Sequence, residues 1–91
     1  MKQVQFDFER IGTIDDFYAV AKKQLDLPEY FGNNLDALWD CITGHIALPV
    51  SVSFKNMSMN QLETFDKLIA LFEEAATELE DDFSFEYYLK K

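Results

Sequence analysis

The chain is poor in positive charge: eight lysines and arginines stand against 17 aspartates and glutamates in 91 residues, a formal net charge of −9. Nucleic-acid binding draws on lysine and arginine contacts to phosphate, so direct binding of DNA or RNA is all but excluded. An anionic membrane surface is disfavoured for the same reason. There is one cysteine, Cys41, and therefore no internal disulfide, whereas small secreted domains lean on several. No run approaches the roughly 20 apolar residues that a membrane span requires. The opening MKQVQFDF alternates polar and apolar residues and lacks the apolar block of a signal peptide. With one histidine and one cysteine the chain cannot assemble a zinc site from such ligands. Neither a glycine-rich phosphate loop nor a nucleophile elbow is found, and no repeat, low-complexity tract or linker interrupts the sequence. These absences predict a soluble, cytoplasmic protein with no metal and no cofactor.

What is present is a strong core composition. Apolar residues make up 48% of the chain and nine of them are phenylalanine, which argues against disorder. The length suits one compact domain over 1–91. A domain this small hides only a little over half of its unfolded surface, so its core must be efficient. An acidic surface on such a domain needs no further reason than solubility, although it would also attract a basic protein partner and speed its approach.

Val4, Phe6 and Phe8 alternate with Gln3, Gln5 and Asp7, the pattern of a strand with one wet face. Thr13 offers an N-cap, with Asp16 three residues on, to a helix carrying Ile14, Phe17, Ala21 and Leu25 and ending before Pro28. Residues 28–34 read as a loop. Asn34 caps a helix over 35–43 that Gly44 can close. Val50, Val52 and Phe54 alternate with serines as a second strand. Ser58 and Gln61 form a capping box. Behind it Leu62, Phe65, Leu68, Ile69, Phe72, Ala75, Ala76 and Leu79 predict one long amphipathic helix. Phe83, Phe85, Tyr87 and Leu89 alternate as a third strand.

Strands separated by helices imply parallel pairing through crossovers. Parallel sheets usually have both faces covered and read as continuous apolar runs, but these strands alternate. The conflict resolves if right-handed crossovers advance in one direction, which puts every helix on one face. The prediction is an α/β, two-layer fold with a three-stranded parallel sheet in the order 1-2-3. The reverse progression would bury Gln5, Ser51 and Ser53.

The helix after Asn34 is the most informative element. At 100° per residue, with Asp36 at zero, Asp40 falls near about 40° and Thr43 near about 340°, while Leu38, Ile42 and Leu35 fall between about 200° and 260°. Trp39, near about 300°, is on the border. The helix thus has a core face and an acidic face. Asp36 is in the first turn, where the helix dipole favours it. Asp40 is a turn further in, and like charges at this spacing cost about 0.2–0.5 kcal/mol. No lysine or arginine lies between Lys23 and Lys55 to relieve them locally. The pair therefore points to something outside the chain, although two exposed aspartates on a solvated helix face are also common. In the preceding turn, Gly32 can supply a positive φ and either asparagine can tolerate one. Tyr30 and Phe31 either both fold inward, or Tyr30 stands beside the acidic face as a binding ring. On periodicity alone Trp39 reads as core, and the acidic run from Glu73 to Asp82 as a solvated face.

The run Leu27-Pro28-Glu29-Tyr30-Phe31-Gly32-Asn33-Asn34-Leu35-Asp36-Ala37-Leu38-Trp39-Asp40-Cys41 closely resembles the central motif of the barstar family, intracellular inhibitors of the ribonuclease barnase. Close matching covers 25–44 and returns weakly at Leu71-Phe72-Glu73-Glu74-Ala75, with Glu78 beyond. The resemblance implies a barstar-like fold and a non-enzymatic monomer whose loop and acidic helix plug the active site of a basic, extracellular-type ribonuclease, carboxylates standing in for RNA phosphates. The family's contact positions match Tyr30, Asn34, Asp36, Trp39, Asp40, Thr43 and Gly44, with Glu74 as a supporting acidic contact and Glu78 as a further match. Asp40 matches the aspartate that enters the phosphate pocket, and Asp36 its partner. Three positions depart from the pattern: His45 stands where the family has a large aromatic, Asn33 replaces a glutamate, and Glu80 falls near the place of a second cysteine.

Other readings of the same residues are an acidic interaction module for a non-nuclease partner, and a small hydrolase using Asp36 and Asp40. A carboxylate pair of that kind needs a concave site and separated environments, whereas these two share one face of a convex helix. Cys41 and His45, also four apart, would need hydrogen-bond contact and an orienting third group to act as a nucleophile pair.

Overall fold

The computed structural model describes residues 2–91. In chain order the elements are strand β1 (Lys2–Asp7), helices α1 (Ile14–Gln24) and α2 (Leu35–Gly44), strand β2 (Val50–Met57), helices α3 (Met59–Thr64) and α4 (Asp66–Leu79), a 3-10 turn (Glu80–Asp82) and strand β3 (Phe83–Leu89). The three strands form one parallel sheet in the order β1-β2-β3. No helix among the described residues is long and apolar enough to cross a membrane.

The sheet is covered on one face only, as its alternation requires. Val4 and Phe6 of β1, Val50, Val52 and Phe54 of β2 and Phe83 of β3 are buried, while Gln3, Gln5, Ser84 and Glu86 are exposed and Ser51 and Ser53 half-buried. The core is largely aromatic: eight of the nine phenylalanines are buried and Phe85 is half-buried against them. Phe54, on the central strand, has the rings of Phe6, Phe8, Phe17, Phe72 and Phe85 within 4.8–5.6 Å of its own. Most of these meet edge to face or tilted, the arrangements that aromatic quadrupoles favour.

Both capping boxes are present. The Thr13 hydroxyl accepts from the Asp16 amide at 3.1 Å, and Ser58 from the Gln61 amide at 3.1 Å. Gln61 does more than its cap requires, because its amide group also donates to the carbonyls of Phe8 (2.8 Å) and Ile11 (2.9 Å). These bonds hold α3 against the turn that follows β1.

The single long helix expected after Ser58 is two helices. The chain turns at Phe65 (φ −107°, ψ 23°), which ends α3 and precedes α4. The apolar stripe runs through the joint unbroken, since Phe65 is itself buried. Periodicity reports which side of a helix is buried and not the direction of its axis. Here α3 is held by the Gln61 bonds to the β1–α1 turn, while α4 lays Leu68, Ile69, Leu71, Phe72 and Ala75 into the core. A smaller irregularity lies in β2, where the register with β3 shifts between Phe54 and Met57. Asn56 is left-handed there (φ 60°), and its amide donates to Asp7 Oδ1 at 3.1 Å.

Candidate functional site

The loop between α1 and α2 is built by a chain of local bonds. Helix α1 ends with Asp26 left-handed (φ 53°) while the buried Leu27 donates its amide to the Lys22 carbonyl at 3.1 Å. That six-to-one bond, with an apolar residue behind it, is a Schellman closure. The Phe31 amide then returns to the Pro28 carbonyl at 3.0 Å, making a turn with Tyr30 near its tip. Tyr30 is 76% exposed, whereas Phe31 is buried with its ring 5.7 Å from that of Tyr18. The positive φ of this loop falls on Asn33 (51°) and not on Gly32. At Gly32 space is tight instead: a Cβ there would sit 3.1 Å from Asn34 Nδ2, so the capping side chain would have to shift.

Asn34 caps α2 as expected. Its Oδ1 accepts from the Ala37 amide at 2.8 Å and its Nδ2 donates to the Gly32 carbonyl at 3.2 Å. Both ends of its side chain are thus bonded within the loop, which fixes the entry to α2. The far end differs in detail from the expected closure by Gly44. Gly44 is the last helical residue, has no positive φ, and has nothing within 4 Å of where a Cβ would stand. His45 is the C-cap, its amide donating to the Cys41 carbonyl at 2.9 Å.

On α2 itself Leu38 and Ile42 are fully buried, Trp39 is half-buried against the core, and Asp36 and Asp40 are exposed. This is the division that the helical angles require. The Thr43 hydroxyl donates back to the Trp39 carbonyl at 2.8 Å. Neither aspartate takes part in an ion pair among the described residues. The two ion pairs among the described residues join Arg10 to Asp7 (3.8 Å) and Lys90 to Glu9 (3.6 Å).

The acidic crest of α2 runs between two hollows. One, of about 290 Å³, is lined on the loop side by Pro28, Tyr30, Phe31, Gly32, Ala37, Asp40, Cys41, Gly44 and His45. The other, of about 480 Å³, lies between α2 and α4 and is lined by Leu35, Asp36, Trp39, Lys67, Ala70, Leu71 and Glu74. The residues singled out from the sequence thus fall into two groups. Tyr30, Asp40 and Gly44 share the first hollow; Asp36, Trp39 and Glu74 share the second; Asn34 and Thr43 brace the helix between them. Glu78 is exposed on α4 but lines neither hollow. Sequence reasoning passed over Lys67, because only the packing of α4 beside α2 brings it near Asp36.

The Cys41 thiol is pushed up by burial and, secondarily, by the charge of Asp40. An activated nucleophile needs the opposite direction.

The fold is thus a small α/β domain with one helix, α2, buried on its Leu38–Ile42 side and carrying two exposed carboxylates on the other. The chain is a member of the barstar family: the family model described as Barstar (barnase inhibitor) matches residues 1–90. A similar protein from Bacillus subtilis (strain 168), bearing the name "Putative ribonuclease inhibitor YrdF", is 42% identical over 82 residues, which is 85% of each chain.

Proposed function

We propose that the protein inhibits a basic ribonuclease of the extracellular type by inserting the α2 crest and the loop before it into the catalytic cleft. The observation that carries this reading is the pair Asp36 and Asp40, one turn apart, exposed, and in no ion pair among the described residues. A nuclease site must hold arginine, lysine and histidine to bind phosphate and to stabilise charge in the transition state. A rigid array of carboxylates fits the same groups and forms charge-assisted hydrogen bonds with them. Two like charges that repel each other in the free protein gain partners in the complex. Asp40 takes the phosphate position and Asp36 supports it. Tyr30 and Trp39 supply aromatic contact on either side, and Glu74 extends the acidic face across the second hollow. The membership in a family described by barnase inhibition, and the name of the Bacillus subtilis relative, support the same reading. In it the protein acts as a monomer, in the cytoplasm, and is not an enzyme.

The test is binding and inhibition across a panel of basic ribonucleases that includes barnase, with wild type and Asp40→Ala. Steering and buried charge pairs of this kind were characterised on barnase and barstar themselves, so the magnitudes are that system's: removing one partner of a buried pair costs about 2–5 kcal/mol. Asp40→Ala is expected to lose that much affinity, and the wild-type association rate to fall steeply with ionic strength. An Asp40→Ala variant that keeps every partner at unchanged affinity would overturn the plug.

A further inference from the structure

The hollow between α2 and α4 is not uniformly acidic. Lys67 lines it together with Asp36, Trp39 and Glu74, and among the described residues it is the only lysine or arginine lining either hollow beside the crest. Three features leave it without a stabilising ion pair or dipole contact among the described residues. It is exposed. It forms no ion pair with Asp36 or Glu74, the ion pairs among the described residues lying elsewhere. It also stands at the second position of α4, where the helix dipole disfavours a cation.

We propose that Lys67 is a specificity-determining residue of the inhibitory surface, one that opposes partners presenting a lysine or arginine to the α2–α4 hollow and favours those presenting an uncharged or acidic side chain there. This rests on the inhibitor reading above. The physical basis is simple. The carboxylates of Asp36 and Glu74 draw a partner's cation toward the hollow, whose apolar lining residues Leu35, Trp39 and Leu71 suit the stem of a long side chain. The Lys67 ammonium lowers the negative potential at that spot and must be displaced or repelled before a second cation settles. Charges on the rim of an interface act mainly on the association rate and on partner choice, and a like charge facing a like charge is the usual way of rejecting a wrong partner.

The experiment compares wild type, Lys67→Gln and Lys67→Glu against the same ribonuclease panel by stopped-flow association and equilibrium titration at low and at high salt, with Asp40→Ala alongside. For the most basic ribonuclease that wild type binds, Lys67→Gln is expected to associate about two- to fivefold faster at low salt, the size of one exposed charge. Lys67→Glu should go further in the same direction, and both gains should shrink at high salt. Thermal melting of both variants is expected to be no lower than wild type, which separates the effect from folding. If Lys67→Gln binds no faster, or if Lys67→Glu gains no more than Lys67→Gln, the assignment is wrong, even where Asp40→Ala has lost binding as expected. If no ribonuclease binds, or if Asp40→Ala binds like wild type, the inhibitor reading itself fails and the role of Lys67 goes with it.

Discussion

If α2 plugs a ribonuclease as proposed, Asp40 faces two requirements that pull in opposite directions. In the free protein it sits one helical turn from Asp36 without a cation, so Asp40→Asn is expected to leave stability unchanged or raise it by about 0.2–0.5 kcal/mol in urea denaturation. In the complex the same change is expected to weaken binding markedly. A residue whose removal helps the fold and harms recognition is kept for recognition. Asp7 is the counterexample among the acids. Its carboxylate accepts from the Asn56 side chain and the Glu9 amide, and these bonds, with the nearby charges of Arg10 and Lys90, hold its pKa below the usual carboxylate value. A carboxylate with a lower pKa in the folded than in the unfolded state stabilises the fold at pH above its unfolded value, and loses that contribution as pH falls through the folded value. Asn56→Gly keeps the left-handed backbone and deletes the bond. NMR titration of this variant is expected to show the Asp7 pKa rising, together with a weaker dependence of stability on pH in the acid range.

At the scale of elements, the strands were legible because one face of the sheet is wet. Gln3, Gln5, Ser51 and Ser53 interrupt the apolar residues at a period of two, and the same interruption fixes which side the helices take. The acidic face of α2 was equally legible from angles alone. Two features were not. The turn at Phe65 is set by what α3 and α4 pack against, and a continuous apolar stripe carries no sign of it. The exposure of Tyr30 beside a buried Phe31 follows from the Pro28–Phe31 turn, and the residue types alone left it open. Gln61 links these levels: from the sequence it is half of a capping box, while in the fold it also fills two carbonyl acceptors 53 and 50 residues away. Gln61→Ala leaves those carbonyls and the Ser58 amide without this partner, and is expected to cost about 1–3 kcal/mol of stability by urea denaturation. Gln61→Glu can keep the cap through its carboxylate but cannot donate to Phe8 and Ile11, so the difference between the two variants measures the carbonyl contacts.

For the whole molecule, stability is concentrated in one aromatic cluster. A domain of this size has about 5–15 kcal/mol in total. Phe54→Ala, which removes the ring around which five others pack, is expected to cost about 3–5 kcal/mol, read as a lowered urea midpoint with loss of near-ultraviolet dichroism at intermediate denaturant. The crest of α2 stands on the core through the buried Leu38 and Ile42, with Leu35, Ala37, Trp39 and Cys41 partly buried beside them, while Asp36 and Asp40 stay outside it. Inhibition by Phe54→Ala should therefore track the fraction folded, in contrast to Asp40→Ala, which should melt like wild type and still fail to bind.

The bare side of the sheet has a practical corollary. Recognition, as proposed, is confined to the helical layer, while Gln5 and Ser53 are on the uncovered face of the other layer beside Gln3, Asp7 and Ser51. That surface is a natural handle: a dye, a bead or a fused domain attached there would leave the acidic crest free to engage its target.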